Sequence, residues 1–137
     1  MNSDIFSFCQ ELQQLVASRR SFGRNGKVFD GVGALSSVNN IITIRNLCVE
    51  LKPERTLEVG FSFGGSGLAF TASHRDLGHA PQHQHLALDP FQTAVWDDAG
   101  TIAVERAGLS SLNEGQQVEY EIVTDRGKQS AGNLKVK

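Results

Sequence analysis

Several features of specialised proteins are scarce or missing in this sequence of 137 residues. No apolar run approaches the roughly 20 residues of a membrane-spanning helix, so no membrane is expected as a partner. The segment "MNSDIFSFCQ" lacks the basic start and the long apolar stretch of a secretion signal. The formal net charge is only −2, which gives no general attraction to nucleic acid or acidic lipid. We therefore expect a single, cytoplasmic globular unit.

Cysteine is also scarce. Cys9 and Cys48 are far apart and form no CxxC pair, and both fall on apolar faces of predicted helices. Buried free thiols are the ordinary state of such residues, and a reducing compartment agrees with them. A single disulfide is the alternative.

The chain up to residue 109 predicts helices and short buried strands. Apolar spacing predicts helices over 4–18, from 36 or 37 to 51, and over 93–109. The glycine-rich segment 21–34 between the first two helices predicts a loop. Apolar stretches at 55–60 and 84–91 predict buried strands, and a further helix between them ends before Gly78. This alternation of strand and helix predicts a parallel sheet covered by helices.

A glycine-rich turn and an acid form the chemical centre of this part. "LEVGFSFGGSG" follows the first strand, and "LALDPF" places Asp89 at the end of the second. Such a turn brings backbone N–H groups close to a ligand, and such an acid can accept hydrogen bonds from both hydroxyls of a ribose. A GxxxxGK[ST] phosphate loop is excluded because Ser66 follows Gly65. A GxGxxG dinucleotide turn is weakened by Ser62.

The stretches "RTLEVGFSFGGSGLAF" and "HLALDPFQTAVWDDAGTIAVERAGL" resemble the cofactor half of class I S-adenosylmethionine-dependent methyltransferases, over about residues 35–109. The resemblance implies S-adenosylmethionine as cofactor. It places the methionine part at the glycine turn, the ribose at Asp89 and the adenine beside Phe91. The cofactor-binding set that it implies is Glu58, Gly60, Ser62, Gly64, Ser66, Asp89 and Phe91.

The remaining sequence departs from that family. Beyond Glu114, Val118, Tyr120 and Ile122 alternate with glutamates, which predicts an amphipathic antiparallel hairpin over 117–137. "AVERAGLSSLNEGQQVEYEIVTDRGKQSAGNLKVK" resembles the C-terminal half of a bacterial cold-shock domain, which binds single-stranded nucleic acid on aromatic side chains. Nucleic acid is not expected as a partner here, because Tyr120 is the one aromatic residue of 101–137.

The expected fold is therefore α/β: a partial Rossmann-like methyltransferase unit over 1–109, with two parallel strands, and a cold-shock-like hairpin over 110–137. We expect a cofactor-binding portion that is catalytically incomplete, because no residue is assigned to a methyl acceptor. The alternatives are a cold-shock-type nucleic-acid-binding module and a chimeric chain with no intact function. The phrase "AVERAGL" fits both families and predicts a join between them. The join could have arisen by natural recombination, by design or by misassembly of the sequence. A shortened methyltransferase is the competing explanation.

Four further features are weighed. His79, His83 and His85 could bind a metal, but loop histidines without metal are the more common case. Asp97 and Asp98 could also suggest a metal, but we expect them to be solvated carboxylates in the first turn of a helix. Trp96 favours a core position. The unpaired edges of a narrow sheet predict a homo-oligomer.

Overall fold

The computed structural model describes residues 3–31, 35–80, 84–109 and 118–136, which form a mixed α/β chain. A 3-10 helix at Ser3–Phe6 precedes the α-helices α1 (Gln10–Ser18), α2 (Val38–Leu51), α3 (Gly65–Asp76) and α4 (Ala99–Arg106). The strands are β1 (Arg20–Phe22), β2 (Val28–Asp30), β3 (Thr56–Val59), β4 (His85–Leu88), β5 (Val118–Asp125) and β6 (Lys128–Val136). They pair as three two-stranded sheets.

The predicted parallel pair is confirmed. Strands β3 and β4 run parallel, from the pair Thr56–His85 to the pair Val59–Leu88. Helix α3 packs beside this sheet, and its Leu68 and Ala72 are fully buried in the main apolar core. The glycine turn lies between β3 and α3, so the sheet and the helix fix its position.

The two faces of the parallel sheet differ in burial. Thr56 and Glu58 contact histidine and serine side chains of α3 and β4. Leu57 and Val59 alternate with them and are 43% and 66% exposed. The predicted burial of this strand is therefore wrong for the face that carries Leu57 and Val59. Self-association through the sheet stays a prediction.

Helix α2 follows its sequence signals closely. The Ser37 side chain caps it by accepting a hydrogen bond from Asn40 N at 3.2 Å, and it ends at Leu51, before Pro53. The prediction of one continuous helix over 4–18 is wrong, because a 3-10 helix and α1 are separated around Cys9. Cys9 is extended at φ −150°, and this break lets Phe6 and Cys9 both reach the core.

The glycine-rich segment 21–34 is not simply a loop. Strands β1 and β2 pair antiparallel between Arg20 and Asp30, with a turn at Gly26. The Asp97 carboxylate accepts hydrogen bonds from Asn25 N at 2.9 Å and from Asn25 Nδ2 at 2.8 Å. A distant carboxylate thus holds this N-terminal hairpin, and no local sequence pattern reports that contact.

The predicted helix over 93–109 is wrong at its start. Residues 90–98 form turns, and Asp97 and Asp98 have left-handed backbone with φ of 49° and 59°. Asp98 is buried, contacts Arg24 at 3.1 Å and accepts from Thr93 Oγ1 at 2.8 Å. The prediction that these two acids lie in the first turn of a helix is therefore wrong, because the helix begins at Ala99. Asp98 is also not solvated, whereas Asp97 is partly exposed.

An aromatic cluster lies where the N-terminal hairpin meets the turns before α4. The ring centroids of Phe29 and Phe63 lie 5.2 Å apart, and those of Phe63 and Trp96 lie 5.1 Å apart in an edge-on arrangement. Trp96 is partly buried against the core, which confirms the core position predicted for it. The cluster joins the hairpin to the glycine turn.

The C-terminal hairpin is confirmed as β5 and β6, paired from Val118–Val136 to Asp125–Lys128. Its turn is Arg126–Gly127, with φ of 52° and 78°, as a two-residue turn of right-handed twist requires. The connection 110–117 lies outside the described residues, and the two-domain division stays a prediction.

Two expectations about the chain as a whole can be compared with the structure. Among the helices of the described residues, none has the length and apolar character needed to cross a bilayer. Cys9 and Cys48 are free and buried, which confirms the prediction of free thiols. Burial raises the pKa of both.

Candidate functional site

A cavity of about 290 Å³ lies at the carboxyl ends of β3 and β4. Four of the seven predicted cofactor-binding residues line it: Gly60, Ser62, Ser66 and Asp89. The other lining residues are Ser36, Phe61, Gly65 and Trp96. The structure therefore brings together most of the predicted set, in the crevice where parallel α/β sheets commonly bind ligands.

Backbone conformation shapes the floor of this cavity. Gly60 has φ of 85°, and its N–H donates to the Leu88 carbonyl at 2.7 Å. Gly64 has φ of 84° and forms the N-terminal cap of α3. A Cβ at Gly64 would lie 3.1 Å from the Gly100 backbone. Gly64 thus allows α3 and α4 to approach each other, and it does not line the cavity.

Asp89 joins the two strand ends of the site. Its Oδ2 accepts hydrogen bonds from the backbone N–H groups of Phe61 at 3.1 Å and Ser62 at 2.9 Å. Its Oδ1 accepts from Phe91 N at 3.0 Å. The carboxylate therefore holds the glycine turn in place and also faces the cavity.

Glu58 lies behind the cavity rather than in its lining. Its Oε1 contacts His85 Nε2 at 2.9 Å, and its Oε2 accepts from the Ser66 hydroxyl. The side chain is only 8% exposed. Ser66 lies between Glu58 and the cavity, so Glu58 does not reach the position predicted for the methionine part of a cofactor.

Phe91 is the predicted residue that the structure brings least close to the site. It is 58% exposed and does not line the cavity, whereas Trp96 does. A core position rather than a ligand contact was predicted for Trp96, because residue 96 falls within a predicted helix, where a core position is the common one. The predicted adenine contact of Phe91 stays a prediction.

Gln92 is a structural residue of the site that the sequence analysis missed. Its Nε2 donates to the Ser62 carbonyl at 3.0 Å, and its Oε1 accepts from Gly100 N at 2.8 Å and Thr101 N at 3.2 Å. One amide side chain therefore ties the glycine turn to the start of α4. The only sequence signal was its position three residues after Asp89.

Two of the three histidines considered as metal ligands lie in the described part of the chain. His85 is buried between β3 and α3, and His79 contacts His74. His83 lies outside the described residues. Within the described part of the chain, no group of three or more histidine, cysteine, aspartate or glutamate residues could hold a metal ion.

The lining of the cavity carries little charge. Asp89 is the one charged residue among the eight that line the cavity. A carboxylate repels a diphosphate and favours hydroxyl groups or a cation. Ser66 donates its hydroxyl proton to Glu58, so a hydroxyl group is paired with a carboxylate at the edge of the cavity.

Comparisons with known proteins concern a short segment. No protein-family model and no solved structure matches this chain. A probable cold shock protein of Sinorhizobium fredii is 62% identical over 34 residues, which are 23% of this chain and 49% of that protein. The cold shock protein CspA of Rhizobium meliloti is 63% identical over 35 residues, 24% of this chain and 51% of that protein.

The chain thus spans about half the length of the curated relatives it matches. These matches confirm that a cold-shock-like segment is present. They say nothing of a methyltransferase portion.

Proposed function

We propose that the cavity at the glycine turn binds the nucleoside end of a cofactor of the S-adenosylmethionine class. The observation that carries the proposal is the position of Asp89, which bonds the backbone of the turn and lines the cavity at once. The comparisons support only the cold-shock-like segment. This proposal therefore depends on the geometry of the cavity and on the glycine-rich turn and Asp89 in the sequence.

The hydrogen-bonding capacity of Asp89 agrees with a ribose ligand. A carboxylate oxygen has two lone pairs, and Oδ1 accepts one hydrogen bond, from Phe91 N. The second lone pair of Oδ1 is able to accept from a ribose hydroxyl. Such a charge-assisted hydrogen bond is worth roughly 1.5–3 kcal/mol.

The size of the cavity limits what the chain can do. Its volume of about 290 Å³ lies at the lower end for small-molecule sites, which span roughly 300–1,000 Å³. Part of a nucleoside cofactor would remain exposed, so we expect weak binding. No group beside the cavity is assigned to a methyl acceptor, and we propose a binding portion without methyl transfer.

Isothermal titration calorimetry with S-adenosylhomocysteine tests this proposal. We expect measurable binding by the parent protein and about 10-fold weaker binding by Asp89→Asn, which removes the charge but keeps the shape. Glu54→Gln is the matched control, because it removes one negative charge from an exposed residue outside the cavity. Absence of binding by the parent, or an equal loss in both variants, would refute the proposal.

A second candidate function is supported by the cold-shock-like segment. The matched length of 34–35 residues equals that of the stretch 103–137, and the hairpin β5–β6 agrees with the end of such a domain. We propose that this segment contacts single-stranded nucleic acid only weakly. The aromatic residues on which bases stack are reduced to Tyr120 in this stretch.

Fluorescence anisotropy with a labelled oligothymidylate checks this expectation. The dissociation constant should be of the order of 10⁻⁴ M or weaker at physiological salt and should rise steeply with salt concentration. Tyr120→Ala should change it little. Tight, salt-resistant binding that Tyr120→Ala abolishes would instead make nucleic acid the principal ligand.

A further inference from the structure

A continuous chain of hydrogen bonds runs from His79 to the back of the cavity. His79 Nδ1 lies 3.0 Å from His74 Nδ1, and His74 Nε2 lies 2.8 Å from Thr56 Oγ1. Thr56 Oγ1 lies 2.8 Å from His85 Nδ1, and His85 Nε2 lies 2.9 Å from Glu58 Oε1. Ser66, which lines the cavity, bonds the other oxygen of Glu58.

Chemistry fixes the direction of every hydrogen bond in this chain. An ionised Glu58 only accepts, so neutral His85 carries its proton on Nε2 and accepts at Nδ1. Thr56 has one hydroxyl proton and gives it to His85, so it accepts from His74 Nε2–H. His74 Nδ1 then accepts from His79 Nδ1–H. Four neutral groups thus donate in one direction toward one carboxylate.

Two histidines of this series of hydrogen bonds are shielded from water, whereas Thr56 and His79 are partly buried. His74 and His85 are 1% and 5% exposed, and the Phe70 ring stacks on His85 with centroids 4.7 Å apart. His79 is only partly buried. Among the three histidines of the series, His79 is therefore the one most accessible to a proton from solvent.

The charged groups around the chain are few. Glu58 of β3 faces His85. On the other side of α3, Arg45 of α2 is bonded to Ser73 and Asp76.

We propose that this series of hydrogen bonds is a proton relay that delivers a proton from His79 to His85, which lies beside Glu58. A solvent proton binds His79 Nε2, and the Nδ1 proton of His79 moves to His74 Nδ1. The Nε2 proton of His74 moves to Thr56 Oγ1, and the hydroxyl proton of Thr56 moves to His85 Nδ1. The three hydrogen bonds between His79 and His85 survive with their direction reversed, and the His85–Glu58 bond keeps its direction. The single added charge ends on His85 as an imidazolium ion.

The relay passes through His74 without leaving the charge there. Desolvation by burial, followed by the nearby His85 and His79, lowers the pKa of His74 to about 4. An imidazolium at position 85 instead contacts a carboxylate at 2.9 Å. Delivery of the proton thus converts the Glu58–His85 pair from a net negative group to a neutral ion pair. If the proposed cofactor function is correct, this change weakens the attraction of the site for a cationic ligand.

Long-range ¹H–¹⁵N NMR of the imidazole rings tests the relay without any ligand. At about pH 7.5 we expect the Nε2–H tautomer for His74 and His85 and the Nδ1–H tautomer for His79. In acidified samples in which His85 carries both ring protons, His74 and His79 should have exchanged tautomers. Glutamine variants assign the four histidine signals.

Thr56→Val interrupts the chain, and Thr71→Val is its matched control. Thr71 is also buried, but its hydroxyl bonds the Gly67 carbonyl of its own helix at 2.8 Å. Tautomer exchange at His74 should persist in the control and vanish in Thr56→Val. If His74 keeps its Nε2–H tautomer while His85 gains a proton in the parent protein, the relay is refuted, whether or not Thr56→Val folds. Calorimetry with S-adenosylmethionine, whose sulfonium group is cationic, separately tests the link to the cofactor site, and its binding should weaken in acidified samples.

Discussion

Lowering the pH from about 7 to about 4 should remove about 3 kcal/mol of folding free energy through His74 alone. The pKa of this residue is about 4 in the folded chain, against an ordinary value of 6.5. The unfolded chain therefore binds a proton at His74 between these values, whereas the folded chain does not. The stabilisation is complete above about pH 6.5 and is lost as the pH falls toward 4. The relay leaves this result unchanged, because its proton ends on His85.

Urea unfolding followed across this pH range measures the effect. His74→Gln should be less stable than the parent at neutral pH, because it loses hydrogen bonds to Thr56 and His79. Its loss on acidification should be smaller than that of the parent by about 3 kcal/mol. Parallel pH curves for the two proteins would contradict the prediction.

Gly100→Ala should destabilise the fold by about 2 kcal/mol, although alanine usually stabilises a helix by roughly 0.5–1 kcal/mol relative to glycine. A Cβ at this position would lie 2.6 Å from the Ser62 carbonyl oxygen and 2.8 Å from the Phe61 ring. Ser62 belongs to the glycine turn, whose backbone is held by Asp89 and Gln92 and has little freedom to move.

Gly65→Ala provides the comparison for Gly100→Ala. Its new Cβ would meet chiefly the end of the Leu35 side chain, which is able to rotate away. We expect a change within about 1 kcal/mol for this variant. Thermal and urea unfolding of both variants give the two values. A larger loss for Gly65→Ala would show that the start of α3, rather than the start of α4, limits the packing around the turn.

Elements with strong local signals were predicted well. Helix α2 has a serine cap and a proline beyond its end, and the strand pair β3–β4 has short apolar runs bounded by glycine and Asp89-Pro90. The helix over 93–109 was wrong at its start, because its apolar spacing does not report the turns at Asp97 and Asp98. Those turns are stabilised by partners about 70 residues earlier, Asn25 and Arg24.

The candidate site shows the same division between local and distant information. Local spacing was sufficient to bring Gly60, Ser62, Ser66 and Asp89 to one cavity. The position of Glu58 was not predictable, because it depends on His85, which lies 27 residues away and is paired with β3 through the sheet register. Thr56 and His74 gave no sequence signal as members of a buried chain.

The attachment of the N-terminal hairpin has a consequence for synthesis on the ribosome. Strands β1 and β2 are translated early, but their anchor Asp97 lies 72 residues beyond Asn25. At about 5–20 residues per second, roughly 4–15 s pass between the synthesis of the two residues. Until then Phe29 lacks Phe63 or Trp96 or both as neighbours. The β1–β2 hairpin is therefore synthesised early but reaches its final packing late. Chaperones that bind exposed aromatic residues can act on it during this interval.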